Sequence, residues 1–314
     1  MTEVLVLMAP EDTELPGLDG LPASVRLRCV HDEDALRQAL PEAEVLVVTD
    51  FRSGLLERCW PAQNHLRWVH ATSAGVDALM FPALWDSDIA ITNARGMFDR
   101  GIAEYVLGAV LMFAKDTLGN LRLQRHRQWQ HRDTELIEQR RVLVVGAGSI
   151  GGKVAALLRA VDMQVVGLAR TARADARFDA VFASESLHEQ LALADFVVIT
   201  APLTDDTRGL FNDQAFSAMK PGARLINVGR GPIVDTAALL RALERGQLSG
   251  AALDVFEQEP LPEDHSLWQQ PNVMISAHMA GDFLGWRRAL GEQFVANFLR
   301  WQAGEALHNR VERG

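Results

Sequence analysis

Val142-Leu-Val-Val-Gly-Ala-Gly-Ser-Ile-Gly151 decides the fold. Its four leading apolar residues, mostly β-branched, read as a strand of a parallel sheet buried on both faces. Gly146, Gly148 and Gly151 then form G-x-G-x-x-G, and an apolar helical run follows from Lys153 to Val161. The three glycines have separate tasks. Gly146 permits the tight turn, Gly148 lets the backbone approach a pyrophosphate, and Gly151 lets the helix pack on the strand. N–H groups of the loop, at Ser149 and Ile150, and the positive end of the helix dipole would hold the phosphates. The bland alternative is an α/β domain that uses these glycines only for a turn. The strand before them and the helix after them favour a dinucleotide.

The chain has 314 residues, 48% hydrophobic and 23% charged, which is enough for two globular domains. Its net charge is −10 and its pI about 5.4. An acidic surface argues against a nucleic-acid partner and leaves room for small anionic substrates in a local cationic pocket. Cys29 and Cys59 fit no metal spacing, so no metal is expected, and they read as free thiols of a reducing compartment. Residues 1–8 read as a first strand and not as a signal peptide. No apolar run reaches the ~18 residues of a membrane span. These features predict a soluble cytoplasmic protein without a membrane partner. Only three of its 31 basic residues are lysines (Lys115, Lys153 and Lys220), so an arginine here counts by position, not by presence.

Working outward, residues 1–95 alternate strands and helices. Strands are expected at Val4–Met8, Val25–Val30, Val45–Val48, Arg67–His70 and Ile89–Thr92, with a helix Asp32–Ala39 that Asp32 could cap. Such βα units imply a small parallel sheet covered on both faces. Asp99–Gly119 shows helical apolar spacing, with Asp99 as N-cap and Gly119 as stop. Arg122–Arg140 is a polar excursion. Beyond the glycine loop, strands are expected at Gln164–Leu168, Asp195–Thr200, Arg224–Val228, Leu248–Val255 and Val273–Ser276, giving six with the first. The last amphipathic helix, Trp286–Trp301, is expected to return to the first domain. The domains are therefore 1–97 with 284–314, and 98–283.

Doubly wound sheets bind ligands beyond the carboxyl ends of their strands. Arg230, Glu259 and His278 each follow such an end. A guanidinium can grip a 2-oxo carboxylate by two hydrogen bonds. An imidazole can exchange a proton with the oxygen of a carbonyl under reduction, and a carboxylate behind it fixes the ring and favours its charged form. Singly, each residue could be an ordinary surface or loop group. Together, on one nucleotide-binding sheet, they point to catalysis. The second strand is followed by Arg170, Thr171 and Arg173, where the NAD pattern places a carboxylate about 20 residues beyond the glycines. Arginines there suit a 2′-phosphate, so NADP(H) is the preferred cofactor and NAD(H) a possible one. The nearest acid, Asp175, comes several residues too late.

The chain resembles the D-isomer-specific 2-hydroxyacid dehydrogenase family over nearly its whole length. The resemblance rests on Gly146–Gly151, Thr200–Thr204 with Thr207, Asn227–Gly231, Ala252–Pro260 and His278–Gly281. Ser73–Asp77 and Glu104 match weaker motifs. It implies that Arg230, Glu259 and His278 are the catalytic set. It also implies that Ala74, Gly75 and Val76 offer amides to the substrate carboxylate, beside Arg230 and His278. Pro202, Thr207, Val228, Asp254 and Gly281 would line the cofactor, with Asp254 and the Val228 backbone at the nicotinamide end. One departure is Ala277, where the family usually has proline before the histidine.

The expectation is an α/β protein. A doubly wound parallel (Rossmann) nucleotide-binding domain is joined to a smaller flavodoxin-like α/β substrate domain, with a cleft between them. It would reduce a 2-oxo acid to the D-2-hydroxy acid as a homodimer. The alternative is a non-catalytic NAD(P)-sensing protein on the same fold. Which 2-oxo acid is taken is not legible.

Overall fold

The computed structural model describes residues 2–49 and 54–312. The chain divides into two compact units, Met1–Phe98 with Phe283–Gly314, and Asp99–Asp282.

The first unit is built on β1 (Thr2–Leu7), β2 (Val25–Val30), β3 (Val45–Val48), β4 (Trp68–Ala71) and β5 (Ala90–Thr92). All neighbours are parallel, in the order β2-β1-β3-β4-β5, which is the flavodoxin-like order. Alternation along a strand sends successive side chains to opposite faces. Leu5, Leu7, Leu46 and Val69 pack under α1 (Glu33–Ala39), α2 (Gly54–Cys59) and α3 (Pro82–Trp85). Val4, Val6, Val45 and Trp68 face the closing helix Trp286–Gln302 through Phe294 and Phe298. Trp68 stacks on Phe294 at 5.2 Å. Asp32 caps α1 by accepting the Ala35 N–H at 2.8 Å.

The second unit opens with α4 (Asp99–Ala114) and α5 (Thr117–Arg125). It continues through β6 (Arg141–Val145), α6 (Ser149–Arg159), β7 (Gln164–Ala169), β8 (Ala180–Ala183), α7 (Leu187–Leu193) and β9 (Phe196–Ile199). It ends with α8 (Asp213–Ala218), β10 (Ala223–Asn227), α9 (Thr236–Glu244), β11 (Leu248–Leu253) and β12 (Val273–Ile275). The parallel order is β12-β11-β10-β9-β6-β7-β8. Numbered within the unit this is the doubly wound 3-2-1-4-5-6 order with one more strand at the far edge. The order reverses between β6 and β9, so the glycine loop leaves the sheet at its switch point.

Four expectations change, the first being Asp99, which is the opening residue of α4 and not its N-cap. The helix expected over Asp99–Gly119 stops at Ala114. Asp116 adopts a left-handed φ of 48° and caps a new helix by accepting the Gly119 N–H at 3.1 Å. Gly119 therefore lies inside α5 and is no stop; a Cβ there would meet the Asp116 carboxylate at 2.3 Å. The glycine-loop helix begins at Ser149, ahead of Lys153, so its first turn is the motif itself. The sheet has a seventh strand, β8, a short edge strand whose four residues show no clear alternation.

Candidate active site

Gly146 sits at φ +108°, and a Cβ on it would lie 2.5 Å from the Ala201 nitrogen. A Cβ on Gly151 would lie 2.1 Å from the Gly146 carbonyl oxygen. Both glycines answer to the fold. Gly148 does not: its φ is −85° and a Cβ would meet nothing within 4 Å. Its missing side chain leaves room outside the protein, where a pyrophosphate would come. Among the described residues, the N–H groups of Gly148, Ser149 and Ile150 find no acceptor, as expected at a helix start. The loop thus fits a dinucleotide, with orphan donors and the helix dipole aimed at one open place.

The end of β7 is basic. Arg170 and Thr171 are exposed, and Arg170 makes no ion pair among the described residues. Arg173 donates to the Ala147 carbonyl at 2.5 Å, which ties it to the glycine loop. Arg177, which sequence reasoning missed, lies over Gly152 and reaches the Gly148 carbonyl at 3.4 Å. It also forks onto Asp175 at 2.9 and 2.6 Å. Those hydrogen bonds hold the Asp175 carboxyl down at about 2. Asp175, the acid that follows these residues along the chain, is therefore spent on an arginine.

Arg230, Glu259 and His278 belong to consecutive loops beyond β10, β11 and β12. Asn227, buried at the end of β10, accepts the Gly229 N–H at 3.1 Å and donates to the Arg230 carbonyl at 3.1 Å. The Arg230 guanidinium donates to the Gly229 carbonyl at 2.9 Å. A Cβ on Gly231 would fall 1.9 Å from the Phe256 carbonyl, so this glycine lets the Arg230 loop lie directly on the Glu259 loop. Glu259 accepts the Phe256 N–H through Oε1 at 2.8 Å and lies 2.8 Å from His278 Nδ1 through Oε2. Burial pushes the Glu259 carboxyl up, but the hydrogen bonds from His278 and Phe256 and the charges of His278 and Arg230 carry it below its ordinary value. With Nδ1 engaged by Glu259, Nε2 is the atom through which His278 can pass a proton.

His278 has a left-handed backbone, φ +51°. The Asp254 carbonyl accepts its N–H at 2.8 Å. The buried Asp254 carboxylate accepts the Met279 N–H and the Ala280 N–H, each at 2.9 Å, and the Ser276 hydroxyl at 2.5 Å. Asp254 therefore holds the His278 loop from below. Val228 is buried, its N–H bonded to the Ile199 carbonyl at 3.1 Å. The Thr207 hydroxyl donates to the Pro202 carbonyl at 2.7 Å and accepts the Thr204 N–H at 2.8 Å, which closes the loop beyond β9 on itself.

In the first unit, Ser73–Asp77 follows β4. The Ser73 hydroxyl donates to the Gly75 carbonyl at 2.6 Å and the Asn93 amide to the Ala74 carbonyl at 2.6 Å. The Ala94 N–H takes the Ser73 carbonyl at 3.0 Å, and the Leu79 N–H takes that of Val76 at 2.8 Å. The carbonyls are thus tied down. Among the described residues, the N–H groups of Ala74, Gly75 and Val76 find no acceptor. Such a run of open amides suits an anion.

Comparison with known proteins identifies the family. The family described as "D-isomer specific 2-hydroxyacid dehydrogenase, NAD binding domain" matches residues 107–280. A glyoxylate reductase of Thermofilum pendens is 31% identical over 288 residues, covering 89% of this chain and 81% of its own. The D-isomer specific 2-hydroxyacid dehydrogenase of Xanthobacter autotrophicus Py2, solved with NADPH and MES, superposes with a TM-score of 0.84 at 31% identity, covering 100% of this chain and 99% of that one. The NADPH-dependent glyoxylate/hydroxypyruvate reductase of Sinorhizobium meliloti, solved with NADP and sulfate, gives 0.86 at 27% identity and the same coverage. With a match over more than half its length and relatives of this identity, the chain belongs to the D-isomer specific 2-hydroxyacid dehydrogenase family.

Proposed function

We propose that the protein is an NAD(P)-dependent reductase that converts a small 2-oxo acid to the D-2-hydroxy acid, with NADPH as its preferred cofactor. The observation that carries this reading is the His278–Glu259 pair, 2.8 Å apart on the sheet that also carries the dinucleotide loop and Arg230. When bound, the nicotinamide supplies the hydride. Arg230 grips the carboxylate and polarises the carbonyl by a charge-assisted fork. In the first unit, the open amides of Ala74, Gly75 and Val76 suit a carboxylate in their own right. His278 delivers a proton from Nε2 to the oxygen that becomes the hydroxyl, and Glu259 balances the imidazolium before transfer. Ser149, Ile150 and the α6 N-terminus take the pyrophosphate. Arg170, Thr171, Arg173 and Arg177 form the cationic end that suits a 2′-phosphate. The NADPH and NADP bound by the two solved relatives support that choice. Two cysteines left as thiols, one of them exposed, support a cytoplasmic setting. Consumption of NADPH in the presence of glyoxylate, hydroxypyruvate or phenylpyruvate tests the reaction. Cofactor binding without turnover across that panel points to the sensing protein.

The same reading includes a homodimer. Trp129 is fully exposed, and Leu111, Leu121 and Leu136 are exposed with it in the second unit. Glu135 anchors this stretch through an ion pair to Arg224, and Arg132 through one to Asp116 at 2.6 Å. Apolar groups fixed in solvent favour burial against another chain. Light scattering at micromolar concentration should read the dimer mass, and a monomer mass contradicts it.

A further inference from the structure

Helix α4 meets the active-site loops of its own unit at three places. Asp99 accepts the Ser149 hydroxyl at 2.5 Å. A Cβ on Gly101 would lie 2.6 Å from the Gly281 carbonyl oxygen, so the α4 backbone rests directly on the residue that ends the His278 loop. One turn on, the Tyr105 hydroxyl lies 2.7 Å from Ser276 Oγ, at the start of that loop. Ser276 Oγ is in turn 2.5 Å from Asp254 Oδ1.

The direction of this chain of hydrogen bonds follows from its members. Both Asp254 oxygens already accept a main-chain N–H, from Met279 and from Ala280, so the carboxylate acts as an acceptor throughout. Ser276 must then give its only proton to Asp254, and Tyr105 must donate to Ser276. Burial, with the Asp254 charge adding to it, pushes the Tyr105 phenol up to about 12, so this donor keeps its proton across the working range.

We propose that Tyr105 is a positioning residue for His278, acting through Ser276 and Asp254. His278 is held in the left-handed region, which a non-glycine residue keeps only when its surroundings impose it. Ala277 provides no ring to stiffen the approach. The hydroxyl chain compensates by fixing the carboxylate that grips the main chain on the far side of the imidazole. Misplacement of a reacting group by a fraction of a bond length is costly in rate, although binding of either ligand need not change.

This inference rests on the reading of His278 as proton donor, and the test separates the two. Tyr105→Phe removes one hydroxyl and keeps the ring. It should lower kcat roughly 10-fold or more, with KM for the 2-oxo acid, NADPH affinity and Tm little changed. Ser276→Ala should do the same, the double variant should lose no more than either single one, and Ser276→Thr should keep wild-type turnover. The ε1 proton resonance of His278, identified by its loss in His278→Ala, should shift or broaden in Tyr105→Phe and Ser276→Ala but not in Ser276→Thr. An unmoved resonance with unchanged kcat in Tyr105→Phe overturns the proposal, as do losses that multiply in the double variant. If the wild type reduces no 2-oxo acid, the assigned reaction fails, and the resonance alone still decides whether Tyr105 positions the imidazole.

Discussion

Glu259 Oε2 lies 2.8 Å from His278 Nδ1, while its other oxygen accepts the Phe256 N–H. The carboxylate is thus oriented by its own loop before it orients the ring. A charged partner on Nδ1 fixes which nitrogen faces the substrate and stabilises the imidazolium that must form before protonation.

Glu259→Gln keeps a hydrogen-bonding group at the same length and removes the charge. It should lower kcat at least ~10-fold, and His278→Ala at least ~100-fold, the usual contribution of a general acid. The Glu259 carboxyl titrates below its ordinary value in the folded protein. A group depressed in this way contributes stability above the unfolded value that is lost as pH falls through the folded one. Melting temperatures followed against pH should show that loss below the ordinary carboxyl value of 4.5, and Glu259→Gln should reduce it, the other depressed carboxyls such as Asp175 and Asp195 contributing the remainder. A loss set in already at neutral pH would contradict the pair.

Gly148 and Gly151 should separate in their behaviour. Gly151→Ala forces a Cβ to 2.1 Å from the Gly146 oxygen and should lower the melting temperature. Gly148→Ala meets nothing in the protein and should melt normally, yet bind NADPH at least ~10-fold more weakly because the methyl stands where the phosphate comes. Fluorescence titration with NADPH measures it. Unweakened binding in Gly148→Ala would remove the pyrophosphate from that place.

Arg170 is the exposed arginine at the end of β7 that no other described residue occupies. One charge-assisted contact contributes roughly 1.5–3 kcal/mol, so Arg170→Ala should cut the NADPH over NADH preference by about 10-fold or more. The readout is the ratio of kcat/KM for the two cofactors at one fixed 2-oxo acid. An unchanged ratio would assign the preference to Arg173 or Arg177 instead.

The chain's own pattern carries most of this architecture, and its failures have physical causes. The β6–glycine loop–α6 unit is readable because strand burial, turn geometry and helix packing all constrain the same ten residues. Arg230, Glu259 and His278 are readable because each follows an apolar strand, buried in β10 and β11 and half-buried in β12. The end of α4 is not, because Asp116 enters the left-handed region to cap α5 within an unbroken apolar period. Edge strand β8 escapes because Ala180-Val-Phe-Ala183 is too short to show a period. Tyr105 and Ser276 lie far along the chain from the groups they touch, as Arg177 does from Gly148. A local pattern holds no record of a contact such as Tyr105 to Ser276, and only the Asp175-x-Arg177 spacing hinted at an acid already paired.

The most direct test of the account is NADPH oxidation by wild type and His278→Ala against glyoxylate, hydroxypyruvate and phenylpyruvate, with the configuration of the product determined. The account predicts steady turnover of at least one of these by the wild type, a D-2-hydroxy acid as product, and a loss of ~100-fold or more in His278→Ala. NADPH binding with no turnover of any 2-oxo acid, or near-normal turnover without the imidazole, would contradict it.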